Sequence, residues 1–85
     1  MEEIKKEEER LRIGQRIAEL RKERGMSQVA LAAACGLQQA HIARIENGKY
    51  SVGLDTLATI AQAMNLRVDF IKYHSHSALP RRLPT

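Results

Sequence analysis

The sequence predicts an all-α fold, a bundle of four to five helices followed by one C-terminal β-strand, on three observations. Apolar residues recur at helical spacing in four separate stretches, glycine stands at the end of three of them, and the apolar content is mostly Ala, Leu and Ile with one Phe, two Tyr and no Trp. Aliphatic ridges of this kind pack helix on helix more readily than sheet on sheet. At 85 residues and 44% hydrophobic, the chain is about one small domain, with a core modest enough for a partner to complete it.

Residues 2–24 fit one long helix. Glu2 and Lys6 make an i, i+4 pair in the favourable order, Leu11, Ile13, Ile17 and Leu20 supply an apolar stripe, and Gly25 ends it. The first part, residues 1–10, has Ile4 as its apolar anchor and is expected to be a charged extension, frayed or projecting. Ser27 stands where a helix N-cap belongs, with a hydroxyl that can accept from a first-turn amide. The second helix then runs from about Gln28 to Ala34, with Val29, Leu31, Ala32 and Cys35 as its apolar positions, and Gly36 followed by Leu37 suits a left-handed terminus.

Gln38 can cap a third helix that continues to about Glu46 and buries Ile42 and Ile45, and Asn47-Gly48 is its stop. After a polar loop at 49–53, Leu54, Leu57, Ile60, Ala61 and Met64 lay out a fourth amphipathic helix ending at Asn65. All four stripes face a shared core. The pattern changes at Leu66, where Leu66, Val68 and Phe70 alternate with Arg67 and Asp69, so that Arg67 to Tyr73 reads as a strand. A lone strand has no ladder partner, and the same strand of a second copy would satisfy it across a two-fold axis, with Val68 and Phe70 at the dimer contact. Residues 74–85 hold two prolines and no periodicity and read as a flexible basic tail.

The net charge is +4, but residues 1–9 hold five Glu against two Lys, which leaves 12 basic against 5 acidic residues on positions 10–85. That excess favours an anionic partner, nucleic acid before membrane, because counterion release from phosphate rewards Lys and Arg. The one cysteine, Cys35, excludes an internal disulfide and reads as a small buried hydrophobe. His74 and His76 lack a third ligand, so no metal and no cofactor is expected. With no apolar run of about 20 residues and no basic-then-apolar leader, the expected place is the cytoplasm. Paired carboxylates in a plausible cleft, a phosphate loop and a nucleophile with a positioned base are all missing, so an enzyme is not expected.

Helix, tight glycine turn and helix is an arrangement in which the first helix braces on a DNA backbone while the N-terminal half of the second enters the major groove. Over about residues 11–66 the chain also resembles the Cro and phage-repressor type of helix-turn-helix domain, the XRE-like regulators. The resemblance is carried by IGQRIAELRKERGMSQVALAAACG, then IARIENGK, then LDTLATIAQAMNL. It implies a lambda-repressor-like bundle at 11–66, with residues 1–10 as a helical extension, 67–73 as a dimerisation strand and 74–85 as a tail.

The same resemblance implies that Gln28, Asn47 and Lys49 contact phosphate and that Gln38, Gln39, Ala40, His41 and Arg44 face the bases. Residue chemistry points the same way, since Gln can hold adenine N6 and N7, Arg can hold guanine O6 and N7, and alanine can meet a thymine methyl. Gln38 has a competing use as the cap, which ranks Gln39 and Arg44 first. Arg21 and Glu46 match a family pair that ties the first helix to the third. The implied function is a transcriptional regulator, a repressor that binds a double-stranded DNA operator as a homodimer. Helix-turn-helix followed by a strand is similar to the antitoxin branch of the family, which adds a toxin protein as partner, and a protein-interaction module without DNA binding is the third reading.

Overall fold

A computed structural model describes residues 3–73. They form four helices: α1 at Lys6–Glu23, α2 at Gln28–Cys35, α3 at Gln39–Glu46 and α4 at Leu54–Ala63. The second and third helices pack on each other, α1 crosses α3, and α4 closes the far side of α2. Ile17, Leu31, Ala32, Ile42, Ile45, Ile60 and Met64 are buried at the centre, one or two from each helix and its margin, and Ile13, Leu20, Met26, Leu37, Leu57 and Leu66 pack around them.

Each helix starts as its sequence allows. In α2 the Ser27 hydroxyl accepts from the Ala30 amide at 3.0 Å, which satisfies one of the amides the first turn leaves open. The first helix has no side-chain cap, but Glu7, Glu8 and Glu9 stand in its first turn, where carboxylates favour the positive end of the helix dipole. It begins at Lys6, and residues 3–5 stay outside it, because Ile4, 75% exposed, buries too little to offset the cost of ordering them as a helical turn.

The four helices end in one way. Gly25, Gly36, Gly48 and Asn65 have φ of 67°, 71°, 71° and 60°, and the next amide reaches back to a carbonyl five residues earlier. The bonds are Met26 to Arg21 at 3.1 Å, Leu37 to Ala32 at 2.9 Å, Lys49 to Arg44 at 2.9 Å and Leu66 to Ala61 at 2.8 Å. A left-handed residue turns the chain so that the following side chain points back over the helix it has just left. Met26, Leu37 and Leu66 accordingly pack against the core. Arg24 adds a tie between two of these ends, its Nε donating to the Met64 carbonyl at 2.8 Å.

Where α1 crosses α3 the backbones nearly touch. A Cβ on Gly14 would collide with the Ile45 carbonyl oxygen and come within 2.7 Å of the Glu46 carbonyl oxygen, and one on Gly48 would stand 2.8 Å from Leu11 Cα. Glycine at these two positions lets α1 lie directly on the C-terminal end of α3.

Three expectations of burial fail. Leu11, Val29 and Leu54 are 43%, 63% and 68% exposed. At about 100° per residue, each falls roughly a quarter turn from the centre of the stripe its helix buries. The strand expected at 67–73 is also absent, as no strand forms among the described residues. The described residues offer that segment no neighbouring strand for its backbone groups, and Phe70, Ile71 and Tyr73 stand 98%, 91% and 89% exposed. The expected tail at 74–85 lies outside the described residues. No described helix is long and apolar enough to cross a membrane.

Candidate nucleic-acid interface

The second and third helices meet at the Gly36 turn, and the outer face of α3 carries the side chains in question. Around α3, at about 100° per residue, Ile42, Ile45 and Glu46 occupy the buried arc. Ala40 and Arg44 stand opposite, both exposed, with Gln39 on one flank of that exposed face and His41 on the other. Arg44 makes no ion pair among the described residues, whereas both flanking side chains are held by neighbours.

A chain of hydrogen bonds holds the Gln39 flank. Arg21, 7% exposed, donates from Nε to Glu46 Oε2 at 2.7 Å and from Nη2 to Glu46 Oε1 at 3.0 Å. Its Nη1 donates to the Met26 carbonyl at 2.8 Å. These bonds to Glu46 raise the Arg21 pKa further above its ordinary value, against the smaller opposing effect of burial. Gln28 Nε2 donates to the same Glu46 Oε1 at 3.0 Å, and Gln39 Nε2 donates to Gln28 Oε1 at 2.7 Å. A carboxylate only accepts, so Gln28 turns its amino group to Glu46 and its oxygen to Gln39, which must then use its own amino group.

The His41 flank is held by a ring. Tyr50, in the loop after α3, stands edge-on to the imidazole with centroids 4.7 Å apart and planes at 67°, a favourable aromatic geometry. The same loop carries Asn47 and Lys49, both exposed. At the start of α3, Gln38 occupies the N-cap position with extended backbone, yet its side chain makes no capping bond. Capping therefore does not compete for it. Cys35 lies half-buried at the end of α2, and burial pushes its thiol pKa up.

Residues 17–71, which span the turn, the outer face of α3 and the loop, match the HTH_3 family, described as helix-turn-helix. The chain belongs to this helix-turn-helix family. The chain is 41% identical over 59 residues to the immunity repressor protein of Bacillus phage phi105, a match that covers 69% of this chain and 41% of that one. It thus spans less than half the length of that repressor. It is also 34% identical over 61 residues to the ImmF control region 10 kDa protein of the same phage, covering 72% of this chain and 68% of the relative. Among solved structures it resembles the restriction-modification controller protein C.AhdI from Aeromonas hydrophila, with a TM-score of 0.72 at 30% identity over 75% of this chain and 93% of that one.

Within this helix-turn-helix protein the structure gathers Gln28, Gln39, Arg21 and Glu46 into one network and leaves Gln38, Ala40 and Arg44 exposed along α3. It adds two residues that the sequence reading did not single out. Gly14 seats α1 on the end of α3, and its signal was a glycine inside an otherwise regular helical pattern. Tyr50 braces His41, and only its aromatic character in a polar loop marked it.

Proposed function

We propose that the chain is a sequence-specific, double-stranded DNA-binding transcriptional regulator, a dimeric repressor that reads the major groove with α3. The observation that carries this reading is the braced row on α3. Gln39 donates one amide hydrogen to Gln28 and keeps its second hydrogen and its oxygen, the donor and acceptor that adenine N7 and N6 require. Arg44 is exposed on the same helix and has the fork that suits guanine O6 and N7. Gln38 and Ala40 complete the reading row, with His41 at its edge against Tyr50. Gln28 retains one amide hydrogen for a phosphate, and Asn47 and Lys49 supply backbone contacts from the loop, which set register and affinity. Similarity to a phage immunity repressor supports the repressive sense.

Residues 11–66 are the DNA-binding unit in this reading and 1–10 an extension of α1. Residues 67–73 pair with their copy in a second chain, through Val68 and Phe70. The support is the exposure of Phe70, Ile71 and Tyr73, a cluster of large apolar side chains with no cover among the described residues. The same exposed segment favours a second reading, an antitoxin that also binds a toxin protein encoded beside it.

Selection of bound sequences from a random DNA pool tests the main reading, with affinity measured across salt concentrations. The expected result is an operator with two related half-sites whose binding weakens steeply with salt. Gln39→Ala or Arg44→Ala should relax preference at one or two base positions. Binding with no salt slope would leave only a protein-interaction role. Phe70→Lys should lower the sedimenting mass from dimer to monomer, and an unchanged mass would refute the ribbon.

A further inference from the structure

We propose that Arg10 and Tyr50 form a second phosphate-contact point, on the flank of α3 opposite Gln28, with His41 as the residue that positions Tyr50. The inference rests on the DNA-binding reading above and extends the interface onto α1, beyond the residues assigned there.

A helix seated in a major groove about 12 Å wide has a phosphate strand along each of its sides. On the Gln39 side the adjoining element is the start of α2, with Gln28. On the His41 side the adjoining elements are the loop after α3 and the N-terminal half of α1. Gly14 and Gly48 bring these two together by allowing close backbone approach at Ile45, Glu46 and Leu11. A cleft of about 170 Å³ lies between them, with Ile13, Val52 and Leu57 among its apolar walls and Arg10, Tyr50 and Ser51 among its polar ones.

Both proposed contact residues are partly exposed. Tyr50 stands edge-on to His41 and is 43% exposed, and a tyrosine packed by its ring can leave its hydroxyl to a polar partner. The Arg10 side chain is 31% exposed and lines the cleft, and an arginine can cover apolar surface with its stem while its guanidinium stays in water.

The nearby carboxylates do not neutralise that guanidinium. Glu9, which shares the cleft, is engaged by Arg12 through two bonds at 2.7 and 3.0 Å. Glu7 stands 4.0 Å from Arg10 and its side chain is 85% exposed, a contact that solvent and salt weaken. Lys49 in the same loop adds a second cation.

The experiment measures affinity of the full chain for the sequence selected from a random pool and for an unrelated duplex, with Tyr50→Phe, Arg10→Gln, His41→Ala and His41→Phe. Tyr50→Phe and Arg10→Gln should each weaken both duplexes by the same factor, about tenfold, without altering the thermal midpoint. Arg10→Gln should also reduce the slope of log affinity against log salt by about 0.9, the value for one phosphate, and Tyr50→Phe should leave that slope unchanged. His41→Ala should reproduce the loss at Tyr50, and His41→Phe should restore it.

Wild-type affinity in Tyr50→Phe, or an unchanged slope in Arg10→Gln, would overturn the second contact while the DNA reading stands. A change of base preference in Tyr50→Phe would overturn it as well, by making Tyr50 a support for base reading. No salt-dependent binding by the unaltered chain would bring down the DNA reading and this inference together.

Discussion

The ends of α2 and α3 share one backbone device and use it for opposite purposes. Gly36 and Gly48 have the same φ of 71°, and Leu37 and Lys49 each close a five-residue return bond of 2.9 Å. After α2 the returned side chain is leucine and packs against the core, which fixes the angle at which α3 leaves. After α3 it is lysine and exposed. The terminus dictates where the next side chain is aimed, and the residue placed there decides whether the motif builds the bundle or presents a cation to a partner. The α3 end is also the more heavily braced of the two, by the buried Arg21–Glu46 pair and by the α1 backbone over Gly48.

The largest test of that difference is Glu46→Ala. It leaves Arg21 buried without its partner and Gln28 without its acceptor, so unfolding in denaturant should show a loss of about 3–5 kcal/mol. A loss below about 1 kcal/mol would mean that the pair contributes no more than an exposed one, and that the α3 end is not specially braced. Exchanging the charges, Arg21→Glu with Glu46→Arg, should recover part of what either single change loses.

The two glycines should then separate. Gly36→Ala meets open space and pays only left-handed strain, about 1–2 kcal/mol. Gly48→Ala carries the same strain and also drives a Cβ into the α1 backbone at Leu11, adding about 1–3 kcal/mol. Equal costs at the two positions would show that α1 yields at that crossing.

Exchanging the returned residues tests the purposes directly. Leu37→Lys should destabilise by about 1–2 kcal/mol, in line with partial loss of a buried leucine. Lys49→Leu should stay within about 0.5 kcal/mol yet weaken every DNA sequence alike and reduce the salt slope by about 0.9. A stability loss at Lys49 equal to that at Leu37 would erase the distinction.

The smallest effect concerns Cys35, the last residue of α2. Burial raises its thiol pKa, so thiolate is depleted at any pH below the folded value, and alkylation at pH 8 should be slower than in the denatured chain.

The α2 end was legible in the sequence because Gly36 and Leu37 form a local signal, and the same holds for Ser27 and for Ile42 and Ile45. The α3 end was legible only in part. Asn47-Gly48 marked the stop, but nothing local shows that Gly48 lies under Leu11, a contact between residues far apart in the chain. Gln28 was read as reaching outward to phosphate, and its partners Glu46 and Gln39 appear only once α2 and α3 are packed together. Val29 and Leu54 were counted in the apolar stripes of short helices, where so few turns fix the centre of a stripe poorly, and both stand at its exposed margin. The pattern at 67–73 is that of a strand, and alternation cannot supply the neighbour that a ladder needs. Tyr50 carries no motif, and its link to His41 arises from the path of the loop.

The hydrogen bonds from Arg21 through Glu46 and Gln28 to Gln39 have a direction. Arg21 donates into Glu46 from one side and Gln28 from the other, and Gln39 donates into Gln28 in turn, so the bonds converge on a carboxylate that can only accept and each amide receives a fixed sense from it. The amide that emerges on α3 is thereby oriented by a carboxylate that a guanidinium holds in place from behind. Positions 28 and 39 are consequently one unit of inheritance. Gln28→Glu would give Gln39 a stronger acceptor but set a second carboxylate against Glu46, and a leucine at either position would release the other. Related proteins that alter one should alter its mate, and under the proposed DNA reading a change in recognised sequence would begin behind the exposed face of α3.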